Sequence, residues 1–593
     1  MCMVIGKHIN KYYIKYGLWL LLGIAALVAV DYFSLLIPEL YRMVINGVKN
    51  GEVVLDGEVV PFDIDFLFRN ICLPMEFIIL AMVSGRFLWR IGFFGSSIKV
   101  ERDLRREMFD RAKNLSVSYY QRNKVGNLMS LFTNDLETVQ DCFGSGVLML
   151  ADAAVLGGMC LYKMFAMDWV LTLLSLIPMG FMFAAGVVVG HYMEAKWDER
   201  QKAFSDLSDF AQESFSGIAV IKAFVKEFKE LLAFKRLNKN NEDANVAFVK
   251  ASALLNTLVT LFVESVICVI IGYGGYLVHE GKFDAGELME YIGYFNSIIW
   301  PVMSITELIE MSSRGHASLK RVSELLDASV EVADKPNADD VTTVNGKIEF
   351  RHLTFRYPDG DYDALQDVSF VVNAGESVGI VGKTGCGKTT VADLILRCYN
   401  VPDGTLFVDD KDVNDITIRS LRDHCAYVPQ DNFLFSDTIA NNIGFACDEP
   451  DRALVRQAAV LSDVDDNIVE FDDGYDTVLG ERGVTVSGGQ KQRISIARAL
   501  MKNAEILILD DSVSAVDTDT ERVILSNLAQ TRKGKTTLLV AHRVSTVQGL
   551  DKIVYLDNGR VADVGTHEEL LARSAEYRRM VELQRLDEEE GNA

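Results

Sequence analysis

Gly382-Lys383-Thr384-Gly385-Cys386-Gly387-Lys388-Thr389-Thr390 is the stretch that decides how the second half of this 593-residue chain folds. It matches G-x-x-x-x-G-K-[ST], in which glycines let backbone N–H groups curl around phosphate oxygens. The β-rich run Ser377–Val381 precedes it and a helical pattern follows. The loop therefore opens onto a helix N-terminus, whose partial positive charge favours an anion. In this setting Lys388 reaches the β- and γ-phosphates of ATP, and Thr389 offers an oxygen to Mg²⁺. All nine residues are candidate nucleotide contacts, although Cys386 itself is incidental to the chemistry.

Downstream, Ile506-Leu507-Ile508-Leu509-Asp510 is a continuous apolar run ending in a carboxylate. Buried strands of parallel sheets read this way, and a carboxylate at the end of one suits the Mg²⁺ shell. Upstream, the stretch Ala328–Asn345, rich in Asp, Val and Thr, separates two patterns. After it, short β-rich runs alternate with helical ones, as in α/β folds. The expected layout is a membrane unit over residues 1–327, a linker over 328–346, a nucleotide-binding unit over 347–585 and an acidic tail over 586–593.

The first half carries six apolar stretches, Tyr16–Leu40, Ile71–Phe94, Gly144–Phe165, Trp169–Gly190, Leu254–Val278 and Leu288–Ile309. Each approaches the ~20 residues that a bilayer core requires. The first run continues too far past Ala29, through Leu35 and Leu36, for a cleaved leader. Ile5–Tyr16 mixes Lys with aromatics and reads as an amphipathic entry helix. Basic residues set the orientation. Arg102, Arg105, Arg106, Arg111, Lys113 and Arg122, and the Lys and Arg of 196–250, belong in the cytoplasm. Glu52, Asp56, Glu58, Asp63 and Asp65 lie outside. Both termini are then cytoplasmic and the chain is multi-pass in the cell membrane. No Pro or Gly interrupts Ser96–Ser116 or Glu194–Glu213, so the spans are expected to continue as helices beyond the bilayer. Ser118–Arg122 and Ser214–Phe224 lie at the turning points. The fold class is multidomain: an all-α six-helix transmembrane domain plus an α/β P-loop nucleotide-binding domain.

Charged residues in or near the spans are Asp31, Glu39, Glu76, Arg86, Arg90, Asp152, Lys163, Glu264 and Glu307. Such groups are costly in lipid, so they face a cavity or one another. A polar pathway leaning toward cationic solutes is the functional reading, most pertinent to Asp31, Asp152 and Glu264. Pairing or snorkelling is the plainer one and suits Arg90 and Lys163. Pro301 is expected to kink the sixth span.

A formal net charge of −24 argues against nucleic acid as a partner, because phosphate binding needs surplus Lys and Arg. Nine cysteines occur with no C-x-x-C pair, so a zinc site or disulfide framework is not expected.

Between the phosphate loop and Asp510 lies Val486-Ser487-Gly488-Gly489-Gln490, and here the sequence resembles the ABC transporter family, with Val for the usual Leu. Other marks of that family follow in order. Tyr357 resembles the aromatic that stacks on adenine. Gln430, ending Ala426–Gln430, resembles the glutamine that couples nucleotide and membrane domains and reaches the metal. Gly480–Gly483 is similar to the segment before the signature in exporter-type members. Ser514–Asp517 resembles the D-loop, and His542 the switch histidine at the γ-phosphate. Tyr119–Asp135 and Ser323–Asp327 are similar to exporter segments in the membrane half. The resemblance implies a half-transporter that pairs with a second subunit, sandwiching two ATPs head to tail. Each site then joins one chain's phosphate loop to the other chain's Ser487, Gly488, Gly489 and Gln490. Catalytic roles carry over to Lys388, Gln430, Asp511 and His542, and Asp517 joins the nucleotide contacts; metal roles fall to Thr389, Gln430 and Asp510.

One departure matters. After Asp510 the family usually places Glu, and this chain has Asp511. Its carboxylate sits one methylene closer to the backbone, and a ~1 Å misplacement costs on the order of 100-fold in rate. The resemblance is then to the degenerate-site half of a heterodimeric exporter, with a homodimer in which Asp works adequately as the alternative. The expected function is ATP-driven export of an unidentified solute by alternating access. An importer on the same architecture, or a membrane-anchored regulatory ATPase, are the rival readings.

Overall fold

The computed structural model describes residues 5–55, 58–480, 483, 485–514 and 516–591. They form two compact units. The first comprises the residues up to Phe109 and Met129–Leu326, and the second Asp110–Leu128 and the chain from Asp327 onward.

Among the described residues, six helices are long and apolar enough to cross a membrane: Gly17–Asn50, Ile64–Ala112, Val125–Met167, Trp169–Ser216, Glu227–His279 and Ala285–Asp327. The fourth and fifth run 48 and 53 residues. At ~1.5 Å per residue they reach about 70–80 Å, more than twice the ~30 Å hydrocarbon core. Glu194–Glu213 is helical, as its clean pattern implies. Ser96–Ala112 is helical too, ending just short of Ser116. Short helices Val117–Arg122 and Ile218–Ala223 mark the two turning points. The third and fourth helices are joined by Asp168 alone, which is extended and whose carboxylate accepts the Leu171 N–H at 2.6 Å. The sixth helix runs uninterrupted through Pro301.

Within the first unit, the entry helix Asn10–Lys15 is clasped twice, one turn apart. Lys11 and Tyr12 both donate to Glu107, at 2.6 and 2.9 Å, while Lys15 and Tyr16 donate to Asp103 at 2.5 and 2.7 Å. The first two spans touch at Gly92. A Cβ there would stand 2.8 Å from the Cα of Gly23 and 2.9 Å from the Trp19 carbonyl, so only glycine permits the contact. Several span charges satisfy one another: Lys163 pairs with Glu39 at 2.5 Å, and the Trp300 indole N–H donates to Asp152 at 2.7 Å. Arg90 lies over the Trp89 ring. Asp31 is buried, whereas Glu264 and Glu307 are exposed.

The first unit carries one antiparallel hairpin, β1 Glu52–Leu55 with β2 Glu58–Pro61, and the second unit holds the sheets. The remaining strands are β3 Ile348–Phe355, β4 Leu365–Val372, β5 Ser377–Gly382, β6 Leu406–Val408, β7 Lys411–Asp412 and β8 Cys425–Val428. They continue with β9 Ile506–Asp510, β10 Thr536–Ala541, β11 Lys552–Asp557 and β12 Arg560–Gly565. A six-stranded sheet runs β12-β11-β5-β10-β9-β8, parallel except for the edge pair β11/β12. A second, four-stranded antiparallel sheet runs β4-β3-β6-β7. Every residue of β9 and β10 is buried, which is why both read as apolar runs flanked by helices.

The expected linker 328–346 lies on this unit, held by Arg397. That guanidinium is 1% exposed and donates to the carbonyls of Ile416 at 2.7 Å and Ala333 at 3.2 Å, and to Asp334 at 3.3 Å. Replacement by Met keeps the stem packing but strands two carbonyls. Arg397→Met is expected to cost about 2 kcal/mol. It should also admit protease cleavage between 328 and 346 before global unfolding; unchanged cleavage kinetics would contradict this role. Asp110–Leu128 joins the same unit through Gln121, which accepts the Tyr399 hydroxyl at 2.6 Å, and through Glu331, which takes Ser116 at 3.1 Å and Arg122. The acidic tail expected from 586 continues the helix Ala575–Gly591 rather than forming a separate segment.

Candidate functional site

β5 ends in the phosphate loop, and the loop closes on the helix Lys388–Ile395. Gly385 and Gly387 adopt φ of +81° and +98°, a left-handed backbone that a side chain opposes. At Gly387 a Cβ would also meet the Leu365 side chain at 2.7 Å and the Ala364 carbonyl at 2.8 Å. Lys388, 5% exposed, curls back and donates to the carbonyls of Gly382 at 2.9 Å and Lys383 at 3.1 Å. Burial lowers the pKa of its ammonium, and Asp511 and Asp510 oppose that shift. Lys383, at the loop's start, is exposed beyond it. Cys386 is buried, with its thiol pushed up by burial, consistent with an inert position.

Parallel pairing brings the metal-type residues together. Asp510 pairs with Val540 in β10, and β10 pairs with β5 on its other side, so the strand ends converge. The Thr389 hydroxyl donates to Asp510 Oδ1 at 3.2 Å. Asp510 is 1% exposed, and its second oxygen is buried without a hydrogen-bond partner. Burial raises its pKa, and Thr389 partly counters this. A buried, unpaired carboxylate oxygen beside a threonine hydroxyl fits a hard divalent cation. A divalent cation held there by Thr389 and Asp510 would neutralise phosphate charge. Among the described residues, no group of three His, Cys, Asp or Glu forms an all-protein metal cage. Gln430 lies exposed two residues past β8, and no hydrogen bond joins it to Thr389 or Asp510 among the described residues.

Asp511 follows with φ of +46°, a conformation uncommon for a residue with a side chain. Three hydrogen bonds fix it. Its N–H donates to the Val540 carbonyl at 2.9 Å, and its own carbonyl accepts from Gln492 Nε2 at 3.1 Å and the Ser514 hydroxyl at 3.0 Å. Strain of this kind persists only where neighbours over-determine it.

Tyr357 is placed beside the loop by its hydroxyl, which bonds the Thr390 hydroxyl at 2.8 Å, and its ring packs edge-on against Phe355 and Tyr399. Burial pushes that phenol up to about 12. His542 follows β10, within electrostatic reach of Asp510.

The signature segment stands apart from these groups within the chain. Ser487 caps the helix Gly488–Met501 through a reciprocal box with Gln490: Ser487 Oγ accepts the Gln490 N–H at 3.2 Å, and Gln490 Oε1 accepts the Ser487 N–H at 3.0 Å. The hydroxyl keeps its own proton to donate, and Ser487 and Gly488 are exposed with Gly489 half-buried. Val486 packs its side chain against the local core, so an apolar residue of either shape serves there. Asp517 caps the helix Thr518–Thr531, accepting the Thr520 N–H at 2.9 Å. The preceding-segment resemblance at 480–483 and the one at 514–517 fall partly on 481, 482 and 515, outside the described residues.

Three contributors were not evident in the sequence. Tyr427 of β8 lies near Asp510, and burial together with that carboxylate pushes its phenol up. Asp393, half-buried near Asp510, has its carboxyl pushed up to about 6 by desolvation and by that neighbour. Gln584, from the C-terminal helix, bonds the backbone of His542.

Residues 20–302 match the ABC transporter transmembrane region, and residues 365–514 match the ABC transporter domain. The chain is 36% identical to the probable multidrug resistance ABC transporter ATP-binding/permease protein YheI of Bacillus subtilis, over 99% of this chain and 98% of that one. It is 34% identical to the multidrug resistance-like ATP-binding protein MdlA of Escherichia coli, over 95% and 94%. Among solved structures it resembles a bacterial Atm1-family ABC exporter with ATP bound, at 27% identity and a TM-score of 0.75, covering 97% of this chain and 98% of that one.

Proposed function

The chain belongs to the ABC transporter family, as an exporter-type half-transporter that couples ATP to movement across the membrane, and from that premise we propose that it exports a solute as the slow-site half of a heterodimer. The observation that carries this is the pairing of a complete phosphate cradle with Asp511 in the position of the usual Glu.

In this reading, backbone N–H groups of Lys383–Thr390 and the Lys388 ammonium hold the triphosphate. Lys388 exchanges its two loop carbonyls for phosphate oxygens. Thr389 and Asp510 would hold Mg²⁺, with Gln430 as a further ligand once the nucleotide is in place, and the cation would offset phosphate charge. The exposed helix start at Ser487–Gly489 meets a γ-phosphate held by the partner subunit, with the Ser487 hydroxyl as an added donor. The near-consensus signature supports a competent partner site, and Asp511 a slow one here. Nucleotide closure of the dimer turns the membrane cavity outward, and hydrolysis with phosphate release returns it. Exposed Phe215, Val220 and Phe224 at the second turning point support contact with another surface in the assembly. Relatives named for multidrug resistance support a small organic solute as cargo. The basic-residue asymmetry supports a topology with both termini in the cytoplasm, with the cell membrane as the bilayer crossed.

Inside-out vesicles carrying the chain with its partner test this. ATP-dependent accumulation of a labelled cationic dye is expected, and none with a non-hydrolysable analogue. ATP-dependent loss of preloaded dye would reverse the direction, and nucleotide binding without movement of any of a panel of organic solutes would favour a regulatory ATPase.

A further inference from the structure

His542 sits on a sharp turn between β10 and the helix Val544–Val547, and this turn has little support of its own. The helix cap at Arg543 makes no side-chain hydrogen bond, leaving the Val544 N–H among the donors that a helix start cannot satisfy internally. Gln584 supplies what is missing. Its Oε1 accepts the Val544 N–H at 2.8 Å, and its Nε2 donates to the His542 carbonyl at 2.7 Å. One planar amide therefore bridges both sides of Arg543, across about forty residues of sequence.

Gln584 is itself held rigidly. The helix Ala575–Gly591 presents Tyr577, Val581 and Gln584 at helical spacing along one face. Tyr577 is fully buried, its hydroxyl 2.9 Å from His567 Nδ1 and its ring edge-on to Tyr555 of β11. Val581 packs against the same core. β11 and β10 both flank β5 in the sheet that carries the phosphate loop. The amide is thus anchored to the same sheet as the residue it holds.

We propose that Gln584 is a positioning residue for His542, so that the C-terminal helix sets how well this chain's site distinguishes ATP from ADP. The proposal rests on the reading that His542 meets the γ-phosphate. An imidazole whose backbone is pinned on both flanks keeps its aim; one on a loose turn loses contact with the terminal phosphate while the cradle for the inner phosphates is untouched.

The test is photolabelling of this chain by 8-azido-ATP in the full-length assembled dimer, competed with ATP or with ADP. Gln584→Leu is expected to lower the ATP-over-ADP preference by about fivefold to tenfold, as loss of one or two hydrogen bonds implies, with ADP affinity unchanged. Gln584→Glu keeps the acceptor for Val544 but loses the donor to His542, and should fall between Leu and wild type. In a His542→Ala background, Gln584→Leu should change nothing further. Wild-type preference retained in Gln584→Leu, equal weakening of ATP and ADP, or a further drop in the His542→Ala background would each overturn the proposal. A wild-type chain that takes ATP and ADP alike would overturn the γ-phosphate reading of His542, and this proposal with it.

Discussion

Asp511→Glu is expected to raise ATP hydrolysis at this chain's own site by on the order of 100-fold, because it restores the reach that a ~1 Å shortfall removes. That factor corresponds to about 2.7 kcal/mol of barrier. The opposing effects are small by comparison. The backbone at 511 is left-handed, at φ +46°, where Asp is somewhat better tolerated than most side chains. Its three backbone hydrogen bonds, to Val540, Gln492 and Ser514, do not involve the side chain, so the lengthened residue keeps its frame. The measurement is steady-state ATPase of this chain expressed without a partner, comparing kcat at saturating nucleotide. KM should stay within about twofold, since the substitution leaves the cradle intact. Brisk wild-type turnover that Asp511→Glu does not change would remove both the slow site and the case for a heterodimer.

Lys388→Ala is expected to weaken ATP binding at the same site by on the order of 100-fold, from the loss of charge-assisted hydrogen bonds worth about 1.5–3 kcal/mol each. AMP, which lacks the outer phosphates, should bind as before. That contrast separates loss of a phosphate ligand from collapse of the loop, and equal weakening of ATP and AMP would contradict the assigned role. Arg is not expected to rescue. The lysine occupies a slot where only 5% of it is exposed, and a branched guanidinium has neither the shape nor the flexibility to follow it.

The parts of the site that were legible in the sequence are those fixed by local geometry. The glycine spacing at 382–390 requires a left-handed turn, and Gly385 and Gly387 adopt it. The apolar run ending at Asp510 is a fully buried central strand. The Ser487–Gln490 spacing forms a capping box, because that bond pattern spans a single turn. The membrane helices were legible from length and hydropathy alone, and the long polar continuations from their freedom from Pro and Gly. What escaped was tertiary. Gln584 and Gln492 are unremarkable amides in sequence, and they matter only because the fold brings them to His542 and Asp511. Tyr427 likewise gains its place beside Asp510 from the pairing of β8 with β9. That Ser118–Arg122 could press on another domain was legible from its place at a turning point, but its partners were hidden for the same reason: Tyr399 and Glu331 lie more than two hundred residues away.

Asp168 carries a mechanical consequence. With one residue between Met167 and Trp169, the third and fourth helices meet at that end like the two arms of a hairpin clip. Any swing that parts them there must bend a helix or break the cap on Leu171, so their relative travel is confined to the opposite end. The joint acts as a pivot, and it also leaves almost no slack chain for a protease to grip.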